Sequence, residues 1–177
     1  GVYLVNIDTV NVEENIFTTS STNVYMGIDA NGCNNNLYIY KNKISEITQR
    51  IGIRAIACIA TATTRGKIIN NVIQIGSGIS NSRGIVCNNS AFFDIDYNSI
   101  NITSNDATLG RATVVNSLND IRLRNNIFKN NGTGYAFYTT APASISISDY
   151  NDIYTNGDTL CYDGTNNLAT LADWQGA

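Results

Sequence analysis

The amino-acid sequence predicts an all-β fold, a right-handed parallel β-helix (solenoid) of about six coils of ~27 residues with an Asn ladder. Three observations support this prediction. A short phrase recurs six times at nearly constant spacing, apolar and polar residues alternate within each copy, and no window keeps the 3.6-residue period of an amphipathic helix. Such a chain is expected to form short strands that pair in parallel from one coil to the next.

The recurring phrase consists of an apolar residue, any residue, a second apolar residue, two residues, asparagine, any residue and a third apolar residue. The third copy starts with Gly66 instead of an apolar residue, and the last copy carries one extra residue before its asparagine. The six asparagines recur at nearly equal spacing and are Asn15, Asn42, Asn71, Asn98, Asn126 and Asn151. We expect the chain to turn at each asparagine and the side-chain amides to form a hydrogen-bonded ladder.

The residues that follow the asparagines predict the interior of the coils. An apolar residue two positions after each asparagine should form one interior column, made of Phe17, Ile44, Ile73, Ile100, Phe128 and Ile153. A third strand per coil is predicted at residues 55–58, 84–87 and 112–115. Cys58 and Cys87 are predicted to share a second interior column as small core residues, with a disulfide between them as the alternative.

The whole chain, residues 1–177, is predicted to be one β-helix domain. Regular coils should cover residues 1–160, and an irregular C-terminal tail should cover residues 161–177. Because open coils expose unpaired strand edges and neither end shows an obvious cap, we expect a fragment of a longer protein, with the remainder of the parent chain at both ends.

Composition excludes several classes of function. The net charge of −3 argues against a nucleic-acid partner, since such proteins present a basic face. No apolar run reaches the ~20 residues of a membrane span. Histidine is absent and the four cysteines fit no metal spacing, so neither a metal site nor a cofactor is expected. Calcium is not indicated either, because no Asp-containing nonapeptide repeat is present.

Charged residues on the strand before the asparagine should form columns on the outer face. Lys67, Asp94 and Arg122 are predicted to share one column, and Asp96 and Arg124 the next. Opposite charges one rung apart indicate cross-strand pairing on a solvated face. The alternative is catalytic: Asp94 and Asp96 lie ~6.5–7 Å apart along one strand, which suits an acid pair for glycoside hydrolysis.

Three arginines form the most suggestive pattern for binding. Arg54, Arg83 and Arg111 each directly precede a predicted third strand, follow one another at spacings close to one coil, and are therefore expected to stack. Stacked like charges repel unless an anion lies between them. Loop acids such as Glu46 or Asp106 are one source of that anion, and an acidic polysaccharide is the other, because arginine binds carboxylates bidentately.

Tyrosines offer a second means of contacting sugars. Tyr38 and Tyr40 are predicted on the same outer face as the charged columns, and Tyr97 and Tyr150 directly precede ladder asparagines. Exposed aromatic rings stack on sugar faces, but tyrosine is also a favoured strand residue. Both interpretations of Tyr38 and Tyr40 stay open.

From Asn15 to Ile153 the chain resembles the pectate-lyase-like group of bacterial β-helix repeat proteins, and residues 168–175 are similar to the stretch where such chains leave the regular coils. The resemblance implies the fold and an extracellular or cell-surface location. It does not imply one activity, because this architecture hosts lyases, hydrolases and adhesins. The polygalacturonase-like pattern includes a Gly-His-Gly phrase, which a chain without histidine does not have.

Two functional hypotheses follow. The first is a non-catalytic segment of a secreted or cell-surface protein that is structural or contacts glycans, with an acidic polysaccharide as the candidate partner. The second is a fragment of a polysaccharide lyase or glycoside hydrolase whose active site is incomplete here. A trimeric phage tailspike is compatible with the same pattern.

Overall fold

The chain folds as a parallel β-solenoid of about five turns, with 5% of its residues in helix. The structure is a computed structural model and describes residues 1–18, 26–46, 50–76 and 81–176. The predicted fold class is confirmed. The number of coils is corrected from six to about five, because six strands in a column enclose only five full turns.

Each turn contributes one strand to each of three sheets, which we call A, B and C. Sheet A consists of β1 (Val2–Val5), β4 (Met26–Asn31), β7 (Ile51–Ile56), β10 (Arg83–Asn88), β13 (Arg111–Asn116), β16 (Tyr135–Tyr138), β19 (Cys161–Tyr162) and β20 (Asn167–Leu168). All pairs in this sheet are parallel except the last, in which β20 runs antiparallel to β19.

Sheets B and C lie on the two sides of the asparagine turn. Sheet B consists of β2 (Val10–Glu13), β5 (Leu37–Tyr40), β8 (Gly66–Ile69), β11 (Ala91–Asp96), β14 (Asn119–Arg124) and β17 (Ile145–Asp149). Sheet C consists of β3 (Ile16–Thr18), β6 (Lys43–Glu46), β9 (Val72–Ile75), β12 (Ser99–Ile102), β15 (Ile127–Asn130) and β18 (Asp152–Thr155). Pairing is parallel throughout both sheets, and the register shifts only between β14 and β17.

The Asn ladder is present at the turn between sheets B and C. Asn71 shows its chemistry: the backbone N and Nδ2 both donate to Oδ1 of Asn98, each at 3.0 Å. Nδ2 also donates to the carbonyl oxygens of Ile39 and Ile69, so every polar group of this buried amide is used. The same bonds to the next rung recur from Asn15 to Asn151, which confirms the predicted ladder.

The residue before each ladder asparagine adopts a left-handed backbone conformation. These residues are Glu14, Lys41, Asn70, Tyr97, Asn125 and Tyr150, with φ between 52° and 60°. A left-handed residue reverses the chain in one step, which lets the following asparagine point along the solenoid axis. The conformation is costly for a residue with a Cβ atom, by about 1–2 kcal/mol each, so the ladder hydrogen bonds have to offset it.

The interior is one continuous apolar core that runs along the solenoid. The predicted column from Phe17 to Ile153 is confirmed, since each member pairs in register with the next. Gly52 and Gly84 bring sheet A close to sheet C. A Cβ added at Gly52 would lie 2.6 Å from Cγ2 of Ile73, and one added at Gly84 would clash with Cγ2 of Ile100.

Cys58 and Cys87 are both core residues, as predicted, but the column that they were predicted to share is wrong. Cys87 lies inside β10, opposite Ala55, whereas Cys58 lies in the turn after β7, where its backbone N donates to Oγ of Ser90 at 3.1 Å. The strand predicted at residues 55–58 begins and ends earlier in the structure, since β7 spans Ile51–Ile56. Both thiols are buried and free, so the alternative of a disulfide between them is also wrong.

The tail closes part of the C-terminal end. After β20, the short helix α1 (Leu171–Gln175) starts with a capping box in which Thr170 and Asp173 bond reciprocally. The Trp174 ring packs on Phe137, with ring centroids 4.9 Å apart. In the described ranges no helix has the length and apolarity needed to cross a membrane.

Candidate functional site

The outer face of sheet B carries the charged columns that the sequence predicted. Asp94 is opposite Lys67 on one side and Arg122 on the other, and Asp96 is opposite Arg124. This register confirms both columns. Residues that are opposite in register do not all form ion pairs. Arg122 bonds Asp120 on its own strand, and the Lys67 ammonium lies 5.6 Å from the Tyr38 ring centroid.

Arginines neutralise both candidate catalytic carboxylates. Arg124 grips Asp96 with Nη2–Oδ2 and Nε–Oδ1 distances of 2.6 and 3.1 Å, and its Nη2 lies 3.5 Å from Oδ1 of Asp94. Arg65, from the loop before β8, places Nε 2.8 Å from the same Oδ1 of Asp94. This is the geometry of a structural ion-pair network, and a general acid at Asp94 or Asp96 would first have to release an arginine.

Arg65 is the centre of this network, although no repeat phrase of the sequence contains it. The residue is only 8% exposed. Its Nη1 bonds Oδ2 of Asp120 at 2.7 Å, and its Nη2 bonds the carbonyl oxygens of Phe93 and Asp120. A single guanidinium thus joins three successive rungs, β8, β11 and β14. Its partner Asp120 lies two rungs further along the solenoid, so a comparison of adjacent coils would not reveal the contact.

The predicted column of three arginines on sheet A is wrong in one member. Arg83 pairs in register with Arg111, but Arg83 lies opposite Ile51, and Arg54 lies opposite Val86. From Ile51 to its register partner Arg83 the chain advances by 32 residues (83 − 51), more than any spacing between successive ladder asparagines, so a spacing of one mean coil does not translate into register. Arg54 instead grips Asp29 bidentately, with N–O distances of 2.7 and 2.8 Å.

Arg83 and Arg111 remain as a pair of like charges on adjacent rungs, which we call the arginine pair. Strands in a sheet lie about 4.8 Å apart, so the two half-buried side chains are close neighbours. Within the described part of the chain, neither guanidinium has a carboxylate within 4.0 Å, and the buried Nε of Arg83 has no hydrogen-bond partner. Burial lowers the pKa of both arginines, and the charge of Arg111 lowers that of Arg83 further.

The acids that were expected as partners do not neutralise this pair. The Asp106 carboxylate accepts hydrogen bonds from the backbone N of Leu109 and from Thr108, and these bonds lower its pKa. Burial lowers the pKa of Arg111, and the charge of Asp106 opposes this shift without forming an ion pair in the described structure. The Glu46 side chain lies outside the described residues.

A group of tyrosines that no sequence pattern singled out adjoins the arginine pair. The Arg111 guanidinium carbon lies 3.4 Å from the centroid of the Tyr138 ring. The Tyr138 ring stacks in turn on Tyr162 at 4.7 Å, and Tyr135 meets Tyr138 edge-on at 5.4 Å. Burial raises the pKa of Tyr135. A small apolar cluster, separate from the core, underlies the group with Ile51, Val86 and Val114.

Tyr38 and Tyr40 lie on sheet B, so the structure does not bring them together with the arginine pair. Their rings stack on each other with centroids 5.2 Å apart and planes 9° apart. The Lys41 ammonium lies 4.8 Å from the Tyr40 ring centroid. The residues predicted to bind a ligand therefore divide between two outer faces, with Arg83, Arg111 and the Asp29-bound Arg54 on sheet A and the tyrosines on sheet B.

The cysteines are buried and scattered along the described part of the chain. No group of three or more His, Cys, Asp or Glu residues in the described ranges is placed to hold a metal ion. The buried thiols are poor nucleophiles, because burial raises the pKa of Cys58 and Cys161 to about 12 and that of Cys87 to about 11.

Comparison of the chain with protein-family models, with curated proteins and with solved structures found no match. The fold therefore rests on the structure itself, and the function has to be argued from the two outer faces.

Proposed function

We propose that this chain is a non-catalytic β-solenoid that binds an acidic polysaccharide on the outer face of sheet A. The observation that carries the proposal is the arginine pair. Arg83 and Arg111 place two like charges on adjacent rungs, half-buried, with no carboxylate within 4.0 Å among the described residues.

Such an arrangement favours an external anion for an electrostatic reason. Desolvation and mutual repulsion both disfavour two neighbouring guanidinium charges, and a carboxylate between them would relieve both effects. Arginine also presents N–H donors in a planar fork that matches a carboxylate bidentately. A uronate polymer supplies such carboxylates on a rigid chain.

The tyrosine stack prepares Arg111 for this role. Its guanidinium carbon lies 3.4 Å from the Tyr138 ring centroid, and its Nε donates to the carbonyl oxygen of Thr108 at 3.2 Å. Stacking uses the face of the guanidinium and leaves the Nη edges available for hydrogen bonds. The side chain is therefore held before ligand binding, so binding costs less conformational entropy.

Two further considerations support the proposal. The resemblance to the pectate-lyase-like group supports a polysaccharide ligand and an extracellular location. The engagement of Asp94 and Asp96 by arginines supports a role without catalysis. Only 14% of residues are charged, so a binding site made of two arginines is a distinctive feature on this surface.

Affinity electrophoresis in gels containing polygalacturonate tests the proposal. We expect the wild-type protein to be retarded, and Arg83→Gln and Arg111→Gln each to weaken binding about tenfold, the loss of one charge-assisted hydrogen-bonding group. Arg122→Gln is the matched control, because it removes an arginine that Asp120 already neutralises. Equal retardation of wild type and both sheet A variants would rule the proposal out.

The same incubations also test the enzymatic alternative. A binding protein leaves the polymer intact, with or without added calcium. Release of new reducing ends or of unsaturated uronate products by the purified chain would show instead that it cleaves the polymer.

A further inference from the structure

Sheet B carries a second surface that the arginine pair does not use. A cleft of about 300 Å³ lies between the outer face of β8 and the loop before it. It is lined by Asn36, Ala62, Thr63, Thr64, Arg65, Lys67 and Asp94. Tyr38 adjoins it on the neighbouring strand, opposite Lys67 in register. We call this surface the Tyr38 cleft.

The polar groups of the cleft are of two kinds. Arg65 and one oxygen of Asp94 form a rigid wall, because they bond each other and are nearly buried. Lys67 and the second oxygen of Asp94 are different. They lie on paired positions of adjacent strands, yet in the described structure they form no ion pair, so a cationic donor and an anionic acceptor both remain available at the cleft.

The loop side adds weaker hydrogen-bonding groups. The Thr64 backbone N donates to Oγ1 of Thr61, which fixes the loop as a tight turn. The Thr64 hydroxyl and the Asn36 amide form no hydrogen bond with any described side chain, and both line the cleft. A hydroxyl and a primary amide each donate and accept, so they fit a ligand rich in hydroxyl groups.

From these contacts we infer that the Tyr38 cleft binds one pyranose unit of a neutral saccharide. A donor beside an acceptor suits two vicinal hydroxyls, one of which accepts from Lys67 while the other donates to Asp94. The Tyr38 ring, which stacks on Tyr40, lies 5.6 Å from the Lys67 ammonium and helps to hold this donor at the cleft. A volume of about 300 Å³ is at the small end of ligand sites, which limits the bound part to about one monosaccharide.

This site is independent of the arginine pair. It lies on another sheet, and its ligand class lacks the charge that the arginine pair requires. One protein would then hold a heteropolysaccharide through an acidic sugar on sheet A and a neutral sugar on sheet B, or two separate glycans.

Frontal affinity chromatography with hexamers of glucose, galactose and mannose tests this inference. The buffer contains about 0.5 M salt, which screens charge-based binding to exposed groups. We expect the wild-type protein to retard at least one hexamer. Lys67→Met and Thr64→Val should each lower that affinity at least fivefold, because each removes one hydrogen-bonding group while keeping a similar side-chain shape.

Lys129→Met is the matched control, since the Lys129 ammonium also lies over a tyrosine ring, 5.2 Å from the centroid of Tyr154, but away from the cleft. Unchanged elution of all three hexamers on the wild-type protein would overturn the inference, whatever the variants do. So would a loss in Lys129→Met as large as that in Lys67→Met. Arg83→Gln should keep hexamer binding, and Lys67→Met should keep polygalacturonate binding, so the two proposals fail separately.

Discussion

The outer faces of sheets A and B both carry arginines on neighbouring rungs, but different residues surround them. On sheet B, Arg65, Arg122 and Arg124 each reach an aspartate, and the aspartates Asp94 and Asp120 each receive two arginines. On sheet A, Arg83 pairs in register with Arg111, and Arg111 lies over the Tyr138 ring of the aromatic stack. Aspartates neutralise these three arginines of sheet B, whereas Arg83 and Arg111 have no carboxylate partner among the described residues.

The difference follows from register rather than from composition. In sheet B the strands stay in step with the ladder, so acids and bases of successive coils meet. In sheet A the connection before β10 shifts the arginines, which separates Arg54 from Arg83 and leaves Arg54 to Asp29. Charges that meet partners stabilise the solenoid, and charges that do not are candidates for binding.

Arg65→Met should have the largest effect on stability. The substitution removes four hydrogen bonds and leaves Asp94, which is buried, and Asp120 with fewer partners. Breaking a buried ion pair by removing one member costs about 3–5 kcal/mol. Because the Asp120 side chain is 24% exposed, we expect a loss near the lower limit, measured as the free energy of unfolding in urea.

Arg83→Met is the contrasting substitution on sheet A. It removes a half-buried charge without a carboxylate partner in the described structure, so we expect the free energy of unfolding to stay within about 1 kcal/mol of wild type or to rise. Equal losses for Arg65→Met and Arg83→Met would contradict the distinction between the two faces.

Prediction from the sequence succeeded where the repeat phrase itself sets the register. The ladder asparagines, the column from Phe17 to Ile153 and the charged column of Lys67, Asp94 and Arg122 all lie within a few residues of the B–C turn. At that turn every coil has a residue in the left-handed backbone conformation, followed by asparagine. Counting from the asparagine therefore places these residues on the correct rung and face.

The same approach failed where connections differ in length from coil to coil. Arg54 and Cys58 precede Arg83 and Cys87 by 29 residues, which matches the mean coil. The strands β7 and β10 are offset by a larger step, because Arg83 pairs with Ile51. The tyrosines were missed because Tyr162 lies in the tail. Tyr135 and Tyr138 pair in register with Arg111 and Val114, and this step of 24 residues (135 − 111) is shorter than every spacing of the ladder asparagines, so counting by coils does not align them.

Asp29→Asn should leave Arg54 without its carboxylate partner, as Arg83 and Arg111 already are in the described structure. Asp29 is 7% exposed and holds Arg54 bidentately. Neutralising Asp29 frees the Arg54 charge, so that three guanidinium groups of sheet A have no carboxylate partner among the described residues. We expect retardation by polygalacturonate to increase two- to fivefold, with a steeper dependence on salt, and stability to fall by about 1–2 kcal/mol.

Asp29→Asn combined with Arg54→Gln is the control for this effect. The double variant removes both charges, so its binding should return to the wild-type value. An Asp29→Asn variant that binds no more tightly than wild type would show that unneutralised charge on sheet A does not determine affinity.

The smallest expected effect is on the decrease of stability at acidic pH, which should again differ between sheets A and B. The Ser146 hydroxyl, first, and the Arg65 guanidinium hold the pKa of Asp120 below its ordinary value of 3.8. A carboxyl whose pKa is lower in the folded state contributes stability above its unfolded pKa, and that contribution is lost as the pH falls through the folded pKa. Ser146→Ala should therefore reduce stability at pH 6 by well under about 1 kcal/mol, and it should make the decline below pH 4 shallower.

Unfolding curves at pH 6, 4 and 3 measure this difference, with Ser148→Ala on the same strand as the control. Arg83→Met should leave the slope between pH 4 and pH 3 unchanged, because the arginine pair has no carboxylate partner in the described structure whose protonation would break an ion pair. A steep acid dependence that disappears in Arg83→Met would instead reveal a carboxylate bound to sheet A, which would make that face self-neutralising like sheet B and remove the reason to expect an external anion there.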